Sequence, residues 1–282
     1  MNETSKQSFW LAAGVAYAGD HFQGFQSQAN GQGVQNALER ALASIDADST
    51  PIAAAGRTDS GVHATGQVIS FRSSRERSAS AWLKGMNSNL PEGVRVRWVR
   101  PVLPGFNARF SATGRRYLYV FSEGEVSPLN VRRVTSTAVL DDSAMHRAAQ
   151  CLVGEHDFSS FRAAACQSPT PFRRVDHILV RRFGSLVIVD VAANAFLLRM
   201  MRNISGALWR VGRGEWPESA VHHLLEARDR TRLGRTAAAD GLYLVEVRYP
   251  GELLSATDEQ AAGFPRGALP PVLEVFGTLD RL

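Results

Sequence analysis

Residues 174–191 read RVDHILVRRFGSLVIVDV, two apolar-rich runs broken around Gly184. Within 174–182 and 185–191, apolar and polar residues alternate with the period of two that marks a half-buried strand. Glycine at the break suits a tight reversal, so the stretch reads as a hairpin. Beyond it, Leu197, Met200, Met201, Ile204, Leu208 and Val211 recur at three- and four-residue steps, which predicts a helix over about 195–211 with one apolar stripe. Two strands in succession before a helix break the strict strand–helix–strand alternation of a parallel sheet. The fold class read from this pattern is α+β, with a mixed or antiparallel central sheet flanked by helices.

The rest of the chain has the same character. FWLAAGVAY at 9–17, GQVISF at 66–71, VRVRWV at 94–99 and GLYLVEVRY at 241–249 read as strands. So does RRYLYVF at 115–121, where the strand period sets Arg115, Tyr117, Tyr119 and Phe121 on one face. An amphipathic helix is expected over 34–45, and another from Asp141 or Asp142 to about Leu152, with Gly154 just past its end. Pro217 stands near the start of a further helix, 217–227, where its missing N–H costs little. Two prolines and a glycine in PVLPGFN suggest a boundary near residue 105. The expected organisation is an N-terminal lobe 1–105, a C-terminal lobe 106–250 and a loosely ordered, Gly-, Pro- and Ala-rich tail 251–282.

The 282 residues are 44% apolar and 21% charged, a globular composition that sets aside collagen-like, coiled-coil and wholly disordered readings. The two cysteines, Cys151 and Cys166, lack the close ligand pairs of a zinc site and fit a reducing compartment. There is neither an 18-residue apolar run nor a signal-peptide start, so a cytoplasmic protein without a membrane span is expected. Basic residues outnumber acidic ones 32 to 27, and all but Lys6 and Lys84 are arginine. The guanidinium fork suits phosphate. GC-rich codon usage yields the same bias, so charge alone names no partner.

Four stretches carry candidate chemistry. In Gly56-Arg57-Thr58-Asp59-Ser60-Gly61 the glycines allow a sharp turn and close approach of a ligand, and a carboxylate beside a guanidinium stays ionised. An ionised, oriented carboxylate is what covalent attack on an electrophilic carbon requires; the same residues also make an ordinary turn. The loop 17–28, YAGDHFQGFQSQ, mixes rings and amides that suit bases, or else holds two buried rings. FNARFSATGRRYLY at 106–119 interleaves arginines with aromatics, a pattern of RNA-binding surfaces and of exposed sheet faces alike. In NAFLLRMMRNI at 194–204, Arg199, Arg202 and Asn203 are spaced to share one helix flank. No histidine has metal-ligand spacing, and Cys166 has no adjacent base.

Taken in order and at these distances, YAGDHFQGFQSQ, GRTDSGVHATGQV (56–68), FNARFSATGRRYLYV, GEHDFSSFRAAACQ (154–167), ANAFLLRMMRNISGAL (193–208) and ARDRTRLGRTAAADGLYLVEVRY (227–249) resemble the tRNA pseudouridine synthase A family. The resemblance implies a two-lobed pseudouridine synthase fold, a cofactor-free homodimer, and isomerisation of uridines at positions 38 to 40 of the tRNA anticodon stem-loop. It implies Asp59 as the catalytic nucleophile and Tyr117 as the side chain that packs on the target base. Arg57 would replace the flipped base or steady the aspartate, and Arg202 would stand beside the carboxylate. Ser60 stands where alanine is commoner, and Leu198–Met201 departs from a usual histidine-bearing sequence. A pure RNA-binding protein would be expected to have lost one of Arg57, Asp59, Tyr117 and Arg202. An aspartate-nucleophile phosphotransferase would want magnesium-binding carboxylates or a phosphate loop, and the sequence offers neither.

Overall fold

A computed structural model describes residues 8–254, 264–265, 267–276 and 279. The chain forms two compact units: Met1–Thr113 with Glu246–Ala268, and Gly114–Val245 with Leu269–Leu282.

The first unit contains β1 (Phe9–Tyr17), α1 (Val34–Ala43), β2 (Ala53–Ala54), β3 (His63–Ser73), α2 (Ala79–Asn89) and β4 (Val94–Pro101). β1 lies between β3 and β4, antiparallel to both, and β2 pairs with β3. The apolar stripe of α1 (Val34, Ala37, Leu38, Ala41 and Leu42) is buried, as the spacing predicts. The sequence reading did not anticipate α2. Its residues ASAWLKGMNSN bury only Trp82 and Met86, one turn apart, and the element is secured by the Ser78 cap and by Trp82 packing edge-on to Phe71 at 5.4 Å.

The second unit contains β5 (Gly114–Glu123), β6 (Thr135–Thr137), α3 (Asp142–Ala149), β7 (Gly154–Asp157), β8 (Phe172–Phe183), β9 (Leu186–Ala193), α4 (Met200–Gly212), α5 (Ser219–Ala227) and the part of β10 (Leu242–Arg248) that ends at Val245. β5, β9, β8 and β7 adjoin in that order with antiparallel pairing, and β6 runs parallel to β5, giving the expected mixed character. The hairpin turns at Gly184, and Asp141 caps α3 by accepting from Ala144 N–H at 2.8 Å. On β5, Tyr117, Tyr119 and Phe121 face one way, with the last two rings 4.7 Å apart. Leu118 and Val120 face the other way, packed with Ile188, Tyr243, Val245 and three leucines from the C-terminal stretch.

Four expectations need correction. The break between units falls after Thr113 rather than near residue 105, because Phe106 and Ala108 are buried in the first unit, with the Ala108 N–H on Ser70 Oγ at 3.0 Å. The tail does not stand apart where it is described. Phe264 stacks on Phe106 at 5.5 Å, Thr65 donates to the Ala268 carbonyl, and Leu269, Leu273 and Leu279 are buried. Residues 255–263, 266, 277–278 and 280–282 of that tail lie outside the described residues. The helix expected from 195 begins at Met200, because the preceding backbone bonds elsewhere. Asn194 Oδ1 takes the N–H groups of Ala195 and Arg174, and the Leu198 carbonyl takes that of Ala163. Pro217 likewise precedes α5, which begins at Ser219.

Candidate active site

Asp59 sits in the loop that joins β2 to β3, and every neighbouring backbone group with a described partner is tied within the first unit. The Gln67 side chain brackets Gly56, accepting from its N–H at 3.3 Å and donating to its carbonyl at 2.6 Å. Thr58 is buried, with Oγ1 2.8 Å from the Tyr17 hydroxyl and its carbonyl taking the Phe25 N–H at 3.0 Å. The Asp59 carbonyl receives Val62 N–H at 3.1 Å, and Gly61 N–H reaches the Gly19 carbonyl at 3.3 Å. On this anchored backbone Asp59 is half-buried, while Arg57 and Ser60 on either side of the Thr58–Asp59 pair are exposed. A half-buried carboxylate retains access to a ligand while its main chain is held still.

The loop 17–28 turns its rings inward. Tyr17 and Phe25 are buried with centroids 5.9 Å apart, so of the two readings of this stretch the buried rings are observed. Its amides bind one another and α1: Gln28 N–H donates to Asn36 Oδ1 at 2.8 Å, and Asn30 Nδ2 to Gln23 Oε1 at 2.9 Å. Gln26 to Asn30 remain exposed. His63, buried, accepts the Gly19 N–H on Nδ1 at 3.0 Å, which makes it a structural acceptor at the loop's base.

In the second unit Tyr117 is 7% exposed, its ring edge-on to Phe196 at 4.8 Å. Phe196 belongs to the segment between β9 and α4. Arg202, on the first turn of α4, is half-buried and donates Nε–H to the Ala237 carbonyl at 2.9 Å. The adjoining Ala238 carbonyl accepts from the Tyr119 hydroxyl at 2.9 Å, and burial pushes that phenol's pKa well above its ordinary value. The expected flank of Arg199, Arg202 and Asn203 does not form. Arg199 precedes the helix with φ of 60°, and Asn203 points inward, bonded to the Phe161 carbonyl and to Thr236. Arg116 is also withdrawn from any RNA surface. It forms a buried bidentate pair with Asp190 at 2.9 and 2.6 Å. Arg109 and Phe110 do remain outward, the guanidinium 5.4 Å from a ring that is 79% exposed.

Cys166, half-buried, accepts the Leu198 N–H on Sγ at 3.4 Å. Burial opposes its thiolate, but that N–H and Arg162 prevail and hold the pKa below the ordinary thiol value. No three His, Cys, Asp or Glu among the described residues are grouped to hold a metal ion. A cavity of about 200 Å³ in the first unit, lined by Arg97, Trp98 and Gln67 among others, includes none of the four candidate residues. Sequence reasoning missed Gln67 and Tyr17 as the residues that hold the Asp59 loop. A glutamine within the apolar run GQVISF was the one available signal, since a buried amide requires partners.

Comparison with known proteins places these observations. A family model described as tRNA pseudouridine synthase matches residues 13–111 and 148–250. The tRNA pseudouridine synthase A of Cronobacter sakazakii is 49% identical over 244 residues, covering 86% of this chain and 90% of its own length. That of Klebsiella pneumoniae is 48% identical over 257 residues, covering 89% and 94%. A solved Cbf5–Nop10–Gar1 complex aligns over 86% of this chain and 50% of its own at a TM-score of 0.36 and 13% identity, too slight a likeness to carry weight. The Asp59 loop and the Arg202 helix both fall inside the matched ranges, and the chain belongs to the tRNA pseudouridine synthase family, alongside the proteins named tRNA pseudouridine synthase A.

Proposed function

We propose that this isomerase converts uridine to pseudouridine at positions 38 to 40 of the tRNA anticodon stem-loop, with Asp59 as nucleophile. The observation that carries the reading is the Asp59 loop itself, in which a half-buried carboxylate stands on a backbone held by Gln67, Tyr17 and Phe25. The reaction breaks the N1–C1′ bond and joins C1′ to C5. A proton leaves C5 and one arrives at N1, so no atom is gained or lost and no redox partner is called for. Asp59 attacks C1′, assists elimination there, or adds to C6; each route uses the ionised carboxylate.

The base must first leave its stack, at a cost of a few kcal/mol. Packing on Tyr117 is assigned to offset part of this, with stacking contributing about 1–3 kcal/mol. Arg57, exposed in the same loop, is assigned to fill the space the base vacates or to steady the carboxylate. Arg202 is assigned to keep that carboxylate charged. Asp59 or Tyr117 takes the C5 proton. By family resemblance the protein acts in the cytoplasm as a homodimer, and no helix among the described residues is long and apolar enough to cross a membrane.

The test is tritium release from C5-labelled uridine in tRNA, with pseudouridines mapped in parallel. The protein should release tritium from the anticodon arm, and Asp59→Ala should bind tRNA yet release none. Turnover by Asp59→Ala near the parent rate would remove Asp59 from its role. Modification confined to another arm would overturn the assignment to positions 38 to 40.

A further inference from the structure

We infer that Gln67, acting with Tyr17, is a positioning residue for the reaction: it clamps the stem of the Asp59 loop and so sets where the carboxylate stands. The inference rests on the reading of Asp59 as nucleophile. Gln67 lies in β3 and is fully buried. Its Oε1 accepts from Gly56 N–H at 3.3 Å and Val68 N–H at 3.1 Å, and its Nε2 donates to the Gly56 carbonyl at 2.6 Å and the Tyr17 hydroxyl at 3.4 Å. That hydroxyl in turn meets Thr58 Oγ1 at 2.8 Å. Gly56 and Thr58, the residues flanking Arg57, are therefore both tied to one buried network, and Asp59 follows directly.

Stability alone does not explain an amide here. A buried amide gains little over an apolar side chain even when all its bonds are made, and it costs more whenever one is missing. A leucine in β3 would fill the same core volume but forgo the bonds to the Gly56 N–H and carbonyl. What leucine would not do is hold both the N–H and the C=O of Gly56, eleven residues away in sequence, in one fixed orientation. Displacement of a reacting group by about 1 Å can lower a rate by roughly 100-fold, so the clamp acts on the chemical step. Being fully buried, Gln67 makes no contact with RNA and leaves tRNA binding alone.

The experiment compares Gln67→Leu, Tyr17→Phe and Asp59→Ala with the parent in single-turnover pseudouridine formation, with tRNA Kd and thermal midpoints measured alongside. Gln67→Leu should lower the single-turnover rate by roughly 30- to 100-fold and leave the tRNA Kd within about threefold, since it removes no contact with RNA. Tyr17→Phe, which deletes one hydroxyl, should lower the rate by about fivefold to tenfold. Combining Tyr17→Phe with Thr58→Val should cost less than the sum of the two single changes, because both break the Tyr17–Thr58 bond. A folded Gln67→Leu with the parent rate, or a rate loss matched by an equal loss of folded protein, overturns the inference. If Gln67→Leu fails to fold, Tyr17→Phe decides: a parent-like rate overturns the clamp. If Asp59→Ala keeps the parent rate, the reading of Asp59 fails; if it is inactive while Gln67→Leu and Tyr17→Phe are not impaired, only the clamp fails.

Discussion

Replacing Asp190 with leucine should destabilise the second unit sharply, whereas replacing Arg116 and Asp190 together should not. Arg116 pairs across the ladder with Ala192, which makes Asp190 its diagonal neighbour on the same face of β5 and β9. The two side chains are 8% and 3% exposed as residues, joined by two hydrogen bonds, with a third from Arg116 to the Leu279 carbonyl at 3.1 Å and His177 Nε2 3.2 Å from Asp190. Asp190→Leu takes the carboxylate away from a buried guanidinium, and breaking such a pair costs about 3–5 kcal/mol. At about 2–4 °C per kcal/mol for a chain of this size, the thermal midpoint at pH 7 should fall by at least roughly 6 °C. Arg116→Met with Asp190→Leu removes both charges and should return to within about 1 kcal/mol of the parent. The pH dependence has a fixed sign. Burial opposes the Asp190 charge, but hydrogen bonds from His177 and Arg116 outweigh it, so the native pKa lies below the ordinary carboxylate value. As pH falls through about 4, the unfolded chain takes up the proton first, and the stabilisation drains away towards the lower native pKa. The gap between parent and Asp190→Leu, read by calorimetry from pH 7 down to pH 3, should therefore narrow on acidification. A gap that is constant with pH, or single-mutant costs that simply add in the double mutant, would refute the reasoning.

Three further outcomes can be checked. Arg202→Ala should slow single-turnover pseudouridine formation by roughly 100-fold while changing tRNA affinity much less, and equal single-turnover rates for mutant and parent would exclude the role assigned to Arg202. Gly14→Ala should destabilise the first unit by about 1–3 kcal/mol, since a Cβ there would lie 2.0 Å from the indole of Trp98, its cross-strand partner; Trp98→Ala in the same chain should restore the thermal midpoint. Asn203→Leu should cost about 1–3 kcal/mol in chemical denaturation, because the Phe161 carbonyl, 2.7 Å from Asn203 Nδ2, loses its donor.

What the sequence made legible follows the range of the interactions involved. The hairpin of β8 and β9, the stripe of α1 and the cap of α3 each depend on residues within a few positions of one another, and periodicity reports them. α2 escaped because two apolar residues, Trp82 and Met86, anchor it among serines, asparagines and a glycine. β2, β6 and β7 are too short to show a period, and they exist because a neighbouring strand offers an edge. The start of α4 escaped for the opposite reason. Its apolar spacing runs on through Leu197, but Asn194 and the Leu198 carbonyl find partners outside the helix, and local propensity yields to them. The tail misled by composition: glycine and alanine conceal Leu269, Leu273 and Leu279, which together close over the face that carries Leu118 and Val120.

The motif of Asp59 was readable in one stretch, but the apparatus that holds it was not, and the loop 17–28 shows why. A run of rings and amides offers no local sign of which side chains turn inward. That is settled by Thr58, whose hydroxyl lies 41 residues from the Tyr17 phenol in sequence and 2.8 Å from it in space. Two glycines record how closely the loops meet. Gly61 and Gly24 have φ of 82° and 86°, and a Cβ on Gly24 would stand 3.1 Å from the Thr58 carbonyl and 3.3 Å from Ser60 N. With both positions in a conformation that favours glycine, the loops at 19–26 and 56–62 pack backbone to backbone. The consequence for RNA is specific. Tyr17 and Phe25 are buried in holding the loop, which leaves Arg57 and the run from Gln26 to Asn30 among the exposed residues of this region. Substitutions between Gln26 and Asn30 should therefore change tRNA affinity, whereas substitutions at Tyr17, Thr58 and Gln67 should change the rate of the proposed chemical step.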